Sequence, residues 1–119
     1  MMYFYDAAGA GCCFSPDNTT LYLWSGKPAA YVVNNVVYAF SGRHLGWFDA
    51  GWLTDRANRP ALFTAEAGGG PRKPALRLMG PKPGQPQQIP LRAAAAQPPA
   101  RPAPSREWSA RANSSYFSQ

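Results

Sequence analysis

Few side chains in this chain suit chemistry at neutral pH: one histidine, His44, and two cysteines, Cys12 and Cys13. A thiol beside an imidazole could act as a nucleophile, and the three together could form part of a metal site. The spacing argues against both. Adjacent cysteines cannot easily aim at one ion, whereas zinc sites separate them by about two to four residues. A bridge between neighbours is strained, so reduced, buried thiols are expected. Nothing in the sequence supplies a carboxylate to orient the imidazole or a setting to activate the thiolate. "GRHLG" at 42–46 is too short for a phosphate loop, and no G-x-x-x-x-G-K-[ST] occurs. No enzyme is expected: no catalytic residue, no metal and no cofactor.

Binding is the better use of what remains. Lys27, Arg43 and Arg59 each follow a turn residue and could meet an anion or an acidic partner, or be solvated turn residues. Trp52 follows an Ala-Gly turn and is the best candidate for an exposed aromatic that stacks on a sugar or a protein. Trp108, Tyr116 and Phe117 are the three aromatics of the last 53 residues and could anchor a docking peptide.

The elements that must position these groups come from a repeat. Gly9, Gly26, Gly42 and Asn58 are spaced 17, 16 and 16 residues apart, and Asn replaces Gly where φ is positive. Five residues after each stands an aromatic: Phe14, Tyr31, Trp47, Phe63. Four before stand Tyr5, Tyr22 and Tyr38; Leu53 takes the fourth place if that turn is one residue longer. His44 falls where the other copies have Gly11, Pro28 and Pro60, so a structural role is expected of it. About sixteen residues with a turn in the middle suit a two-stranded hairpin, and "TLYLW", "AAYVV" and "NVVYAF" are β-branched and aromatic. One hairpin is not stable alone. Four bury their apolar faces against each other, and closure removes the exposed edges. The expected fold is all-β: four short β-hairpin repeats closed around a pseudo-four-fold axis, with the aligned aromatics layered near the core.

Residues 2–66 resemble the four-fold β-flower family of small bacterial proteins. Gly42, Arg43, His44, Leu45, Gly46, Trp47 and Phe48 match its "G-K/R-H-L-G-W-F" unit, and copy one, "AGAGCCF", departs most. The resemblance implies four hairpins about a pseudo-four-fold axis and often a proline-rich tail with a late Trp. The family has no established activity, so no function follows from it.

Composition divides the chain at residue 66. The first part holds 13 of 16 aromatics and a net charge of −1; residues 67–119 hold 10 of 13 prolines and a net charge of +7. The second part reads as a basic, proline-rich, largely disordered tail with a docking segment at about 105–119. "PRKP", "PKP" and "PPARPAP" resemble ligands of aromatic-grooved domains. A non-catalytic protein-binding or adaptor module is the leading expectation, its partner held through the tail. A structural component of a bacterial or phage particle, self-association, and a non-specific nucleic-acid or anion binder rank behind it. No signal peptide is visible and no apolar run approaches the ~20 residues of a membrane span, so a cytoplasmic protein without a membrane partner is expected.

Overall fold

The structure, a computed structural model, describes residues 1–77 and 82–119. Eight short strands follow in chain order: β1 (Met2–Tyr5), β2 (Gly11–Ser15), β3 (Thr20–Leu23), β4 (Pro28–Val33), β5 (Val36–Ala39), β6 (His44–Asp49), β7 (Trp52–Thr54) and β8 (Pro60–Phe63). Each pairs antiparallel with the next, and Tyr5 of β1 meets Phe63 of β8 to close a barrel. Closure leaves no free sheet edge, which lets strands of three to six residues persist.

The four turns β1–β2, β3–β4, β5–β6 and β7–β8 share one geometry. The N–H groups of Gly9, Gly26, Gly42 and Asn58 donate to the carbonyls of Asp6, Leu23, Ala39 and Asp55 at 2.8–2.9 Å. Their φ values are +82°, +95°, +89° and +60°. This is a three-residue hairpin loop whose last residue is left-handed, the position that selects Gly or Asn. The side chains that support it differ. Asp6 and Asp55 accept from Ala8 and Ala10, and from Ala57 and Arg59, whereas Ser25 and Ser41 accept from Lys27 and Arg43. A register irregularity precedes every one of these turns, at Phe4/Tyr5, Leu21/Tyr22, Val37/Tyr38 and Leu53/Thr54. The fourth turn is therefore no longer than the others. Thr54, not Leu53, is the counterpart of Tyr5, Tyr22 and Tyr38.

Alternation along the strands decides which residues fill the barrel. Phe4, Cys13, Leu21, Ala30, Val37, Leu53 and Leu62 meet in one core cluster and are at most 2% exposed. The aligned aromatics are absent from it. Phe14, Tyr31, Trp47 and Phe63 lie on the opposite face of their strands, so their expected place near the core is corrected to an outer ring. The interior of an eight-stranded barrel is just wide enough for side chains to fill, and Phe4 with small and aliphatic residues already occupies it on the strands. The outer ring is nonetheless buried, and its members pair across strands: Phe14 with Tyr22 at 5.5 Å, Tyr31 with Tyr38 at 5.6 Å and Phe63 with Tyr5 at 5.8 Å.

What covers the ring is the tail. The expectation of a largely disordered tail is not what the described residues show. Arg77, Gln87 and Ala96 donate their backbone N–H groups to the carbonyls of Gly9, Gly26 and Gly42 at 2.8–2.9 Å, and Asn58 donates its side-chain amide to the Pro102 carbonyl at 2.8 Å. Gly84 and Ala93 donate similarly to Trp24 and Phe40. The tail thus passes the four equivalent turns in order, as a belt. Leu78, Met79, Gly80 and Pro81, the last belonging to the Pro-Lys-Pro motif, lie outside the described residues. Composition reports on side-chain burial alone; the belt is held chiefly by backbone hydrogen bonds, which prolines between the donors do not prevent.

A Cβ on Gly42 would meet the Ala94 carbonyl, and φ there is +89°. Gly42→Ala is expected to cost about 1–3 kcal/mol in a denaturant melt. It should also speed tryptic cleavage after Arg92, because the belt must lift from that turn. Unchanged stability and unchanged cleavage would contradict the belt contact.

Candidate interaction site

The expected docking segment finds its partner within the chain. Trp108 packs edge-on against Trp52 at 5.5 Å and against Phe63 at 6.0 Å. Trp52, expected to be exposed, is 4% exposed and donates its indole N–H to the Gly68 carbonyl at 3.1 Å. Its side of the sheet would face solvent in the barrel alone; Trp108 and Gly70 arrive from the tail to cover it. Ser109 then donates to Pro60 through its backbone and to the Asp55 carboxylate through its hydroxyl.

The chain ends in a short 3₁₀ helix, Ser114–Ser118, begun by Asn113, whose side chain accepts from the Ser115 N–H. Tyr116 projects from it into the core cluster, is fully buried, and donates its hydroxyl to the Thr54 carbonyl at 2.8 Å. Gly46 makes the room: a Cβ there would lie 2.8 Å from that hydroxyl. Burial pushes the Tyr116 phenol well above its ordinary pKa. Phe117 packs beside Tyr116 at 5.1 Å and against the core, and Gln119 donates to the Leu45 carbonyl at 2.7 Å. Trp52, Trp108, Tyr116 and Phe117 therefore belong to the fold.

Lys27, Arg43 and Arg59 are exposed, each just past the left-handed residue of its turn. Antiparallel order around the barrel puts all three at one end. Two belt cations instead cover outer aromatics: Arg92 lies 3.9 Å over the Tyr31 ring, and Arg101, 5.7 Å from Trp47, pairs with Asp49 at 3.1 Å.

A groove of about 520 Å³ opens on the outer face of β1–β3. Met1, Tyr3, Tyr5, Phe14 and Trp24 line it, and the belt strip Lys82–Pro86 forms its far wall. Met1 is 67% and Tyr3 38% exposed, while Phe14 is buried at the base. Trp24 stands edge-on to both Tyr3 at 5.9 Å and Phe14 at 6.4 Å, and its ring lies across Gly11, where a Cβ would strike it. Copy one thus has Gly at the slot that holds Pro28, His44 and Pro60 elsewhere because an indole occupies the space. Sequence reasoning did not single out Tyr3 or Trp24. The alternation of Met2–Tyr3–Phe4–Tyr5, with Phe4 inward, was the available signal.

His44 opens β6 opposite Tyr38 and is 3% exposed, wedged at 4.6 Å from the Trp47 ring. Its Nε2 lies 3.1 Å from the Gly46 carbonyl, which can only accept, so Nε2 carries the proton and Nδ1 is bare. Nδ1 has no hydrogen-bond partner. Burial lowers the His44 pKa below 6.5; the Gly46 carbonyl opposes this and the Arg56 charge adds to it. Cys12 and Cys13 are free and buried, and burial raises the Cys13 thiol well above its ordinary pKa. A neutral, buried thiol is a poor nucleophile.

Protonating His44 would bury a charge and a donor without an acceptor. Because its folded pKa is lowered, the neutral ring contributes stability that is complete above pH 6.5 and is lost as pH falls through the folded value. Unfolding free energy should therefore decline as the pH is lowered from 6.5. His44→Pro, which copies the residue of Pro28 and Pro60, should flatten that decline; an unchanged pH profile in the variant would assign it to other groups. Trp108→Ala should cost about 2 kcal/mol in the same measurement at neutral pH.

Among the described residues no group of three or more His, Cys, Asp or Glu side chains is arranged to hold a metal ion, and no helix is long and apolar enough to cross a membrane. No curated protein and no solved structure matches the chain. Residues 2–117 match a family described as 4-fold beta flower protein, a span that takes in the barrel, the belt and the Tyr116 plug. On that match the chain belongs to the 4-fold beta flower family.

Proposed function

We propose that this chain is a non-catalytic protein-binding module, four hairpins about a pseudo-four-fold axis, that holds a proline-spaced segment of a partner in the groove of Tyr3, Trp24 and Lys82–Pro86. The observation that carries the reading is how the chain treats its own proline-rich strip. Gly84 donates to the Trp24 carbonyl at 2.7 Å, and Pro83 and Pro86 line the same groove as Phe14 and Trp24. Extended proline-rich chains suit flat aromatic walls because they enter already ordered and lose little entropy. The open side, between that strip and Tyr3 with Met1, has room for a second such segment. The late aromatics pack on and into the chain's own barrel, so the tail contributes a wall of the site here and not a free lure. A neutral Cys13 and an imidazole hydrogen-bonded only to a backbone carbonyl support a role without catalysis.

The test is an array of proline-spaced peptides probed with the full chain, followed by titration of the best binder. Tyr3→Ala should weaken that binder at least tenfold, about 1.4 kcal/mol. Leu91→Ser, at a 97% exposed belt position outside the groove, should leave it unchanged. Binding that ignores Tyr3 but depends on Leu91 would move the partner to the belt's outer edge.

A further inference from the structure

The belt and the turns together build a second surface, independent of the groove. Alternating strand direction places the turns β1–β2, β3–β4, β5–β6 and β7–β8 at one end of the barrel. Three of them carry an exposed cation directly after the left-handed residue: Lys27, Arg43 and Arg59. The first turn has Ala10 at that position, and the belt supplies what is missing. Arg77 is exposed and is fixed at that turn by its own N–H bond to the Gly9 carbonyl at 2.8 Å. Each of the four turns therefore presents a basic residue, and Arg56 adds a further exposed one at the fourth.

Two of the acidic groups at this end, Asp6 and Asp55, are engaged within their turns, and Glu107 near the fourth turn is exposed. Asp6 accepts from two backbone N–H groups of its turn, and Asp55 accepts from two more and from the Ser109 hydroxyl. Among the described residues the one ion pair is Arg101–Asp49, so none of the turn cations is neutralised by a salt bridge. At the opposite end Asp17 and Glu66 are exposed, and Lys73 is occupied by the carbonyls of Ala65 and Ala67. The molecule measures 38 × 35 × 21 Å.

We infer that the turn end binds the phosphate backbone of a nucleic acid duplex without reading its sequence. Arginine predominates among these cations, and its planar fork suits phosphate oxygens. A face of this width would cover about ten base pairs, since the rise is roughly 3.4 Å along each strand. The outer-ring aromatics Phe14, Tyr31, Trp47 and Phe63 are buried under the belt and Trp24 and Phe40 at the turns are half-buried, whereas the turn cations are exposed, which points to backbone contact more than to unpaired bases. A lipid surface fits less well. The exposed apolar belt residues Ile89 and Leu91 lie on one arc, between the second and third turns, whereas the cations stand at all four.

The probe is a labelled 20-base-pair duplex of arbitrary sequence, titrated with the full chain by fluorescence anisotropy from 20 to 200 mM salt. Four phosphate contacts give a slope of log K against log salt of about −3.6. The triple variant Lys27→Gln, Arg43→Gln, Arg59→Gln should fold with an unchanged melt and reduce the slope to about −1. Arg72→Gln, an exposed charge beside Lys73 and away from the turns, should leave the slope unaltered. A salt-independent signal would overturn the inference. So would an Arg72→Gln effect equal to that of each turn substitution, which would indicate diffuse tail charge. Anionic phospholipid vesicles or polyglutamate binding more tightly than the duplex at equal charge would replace the nucleic acid with a membrane or an acidic protein.

Discussion

The structure depends on one close approach, repeated around a rim. At Gly9, Gly26 and Gly42 the backbone of the belt runs where a Cβ would otherwise stand, with the carbonyls of Ala75, Gln85 and Ala94 in the vacated space. The same residues need a left-handed φ to turn the hairpin. Two demands, one conformational and one steric, thus fall on the same three positions, and only glycine meets both. At the fourth turn Asn58 satisfies the first demand and answers the second differently. Its side chain is buried, and it both donates to the Pro102 carbonyl and accepts from Arg101. Its amide does for the belt what a bare backbone does elsewhere.

This explains which features the sequence discloses. The barrel was legible because its constraints are local: a left-handed residue about every sixteen positions, aromatics at one offset, and β-branched runs between. The belt repeats as well, since Arg77, Gln87 and Ala96 bond to equivalent carbonyls at intervals of ten and nine. No residue type marks that period, because the donors are backbone N–H groups that any residue but proline supplies. A composition rule that counts apolar side chains sees a solvated linker there.

The misplaced aromatics have a related cause. Strand alternation indicates that Trp52 and Phe63 share a face, but not whether that face meets water. Trp108 decides it, from far along the chain. Tyr116 fills an interior that the barrel strands leave open at Gly46, and a lone late tyrosine carries no local signal of that destination. The groove has no local signature for the opposite reason. Tyr3 and Trp24 look like two more strand aromatics, and only the passage of Lys82–Pro86 beside them makes a trough.

The Tyr116 plug bears on how the molecule is made. Its bond to Thr54 joins residues 62 positions apart, and that of Gln119 to Leu45 spans 74. A chain emerging from the ribosome could close its hairpins early, since each is local, but its interior would stay unfilled until residue 116 had cleared the exit tunnel. Until then Trp52 and Phe63 would face water without Trp108. A chain lacking Trp108 and Tyr116 would leave both the interior and the Trp52 face uncovered. Such contacts between distant positions slow the final step relative to hairpin formation. Filling the barrel therefore waits on a residue that lies 62 positions beyond its own hydrogen-bond partner.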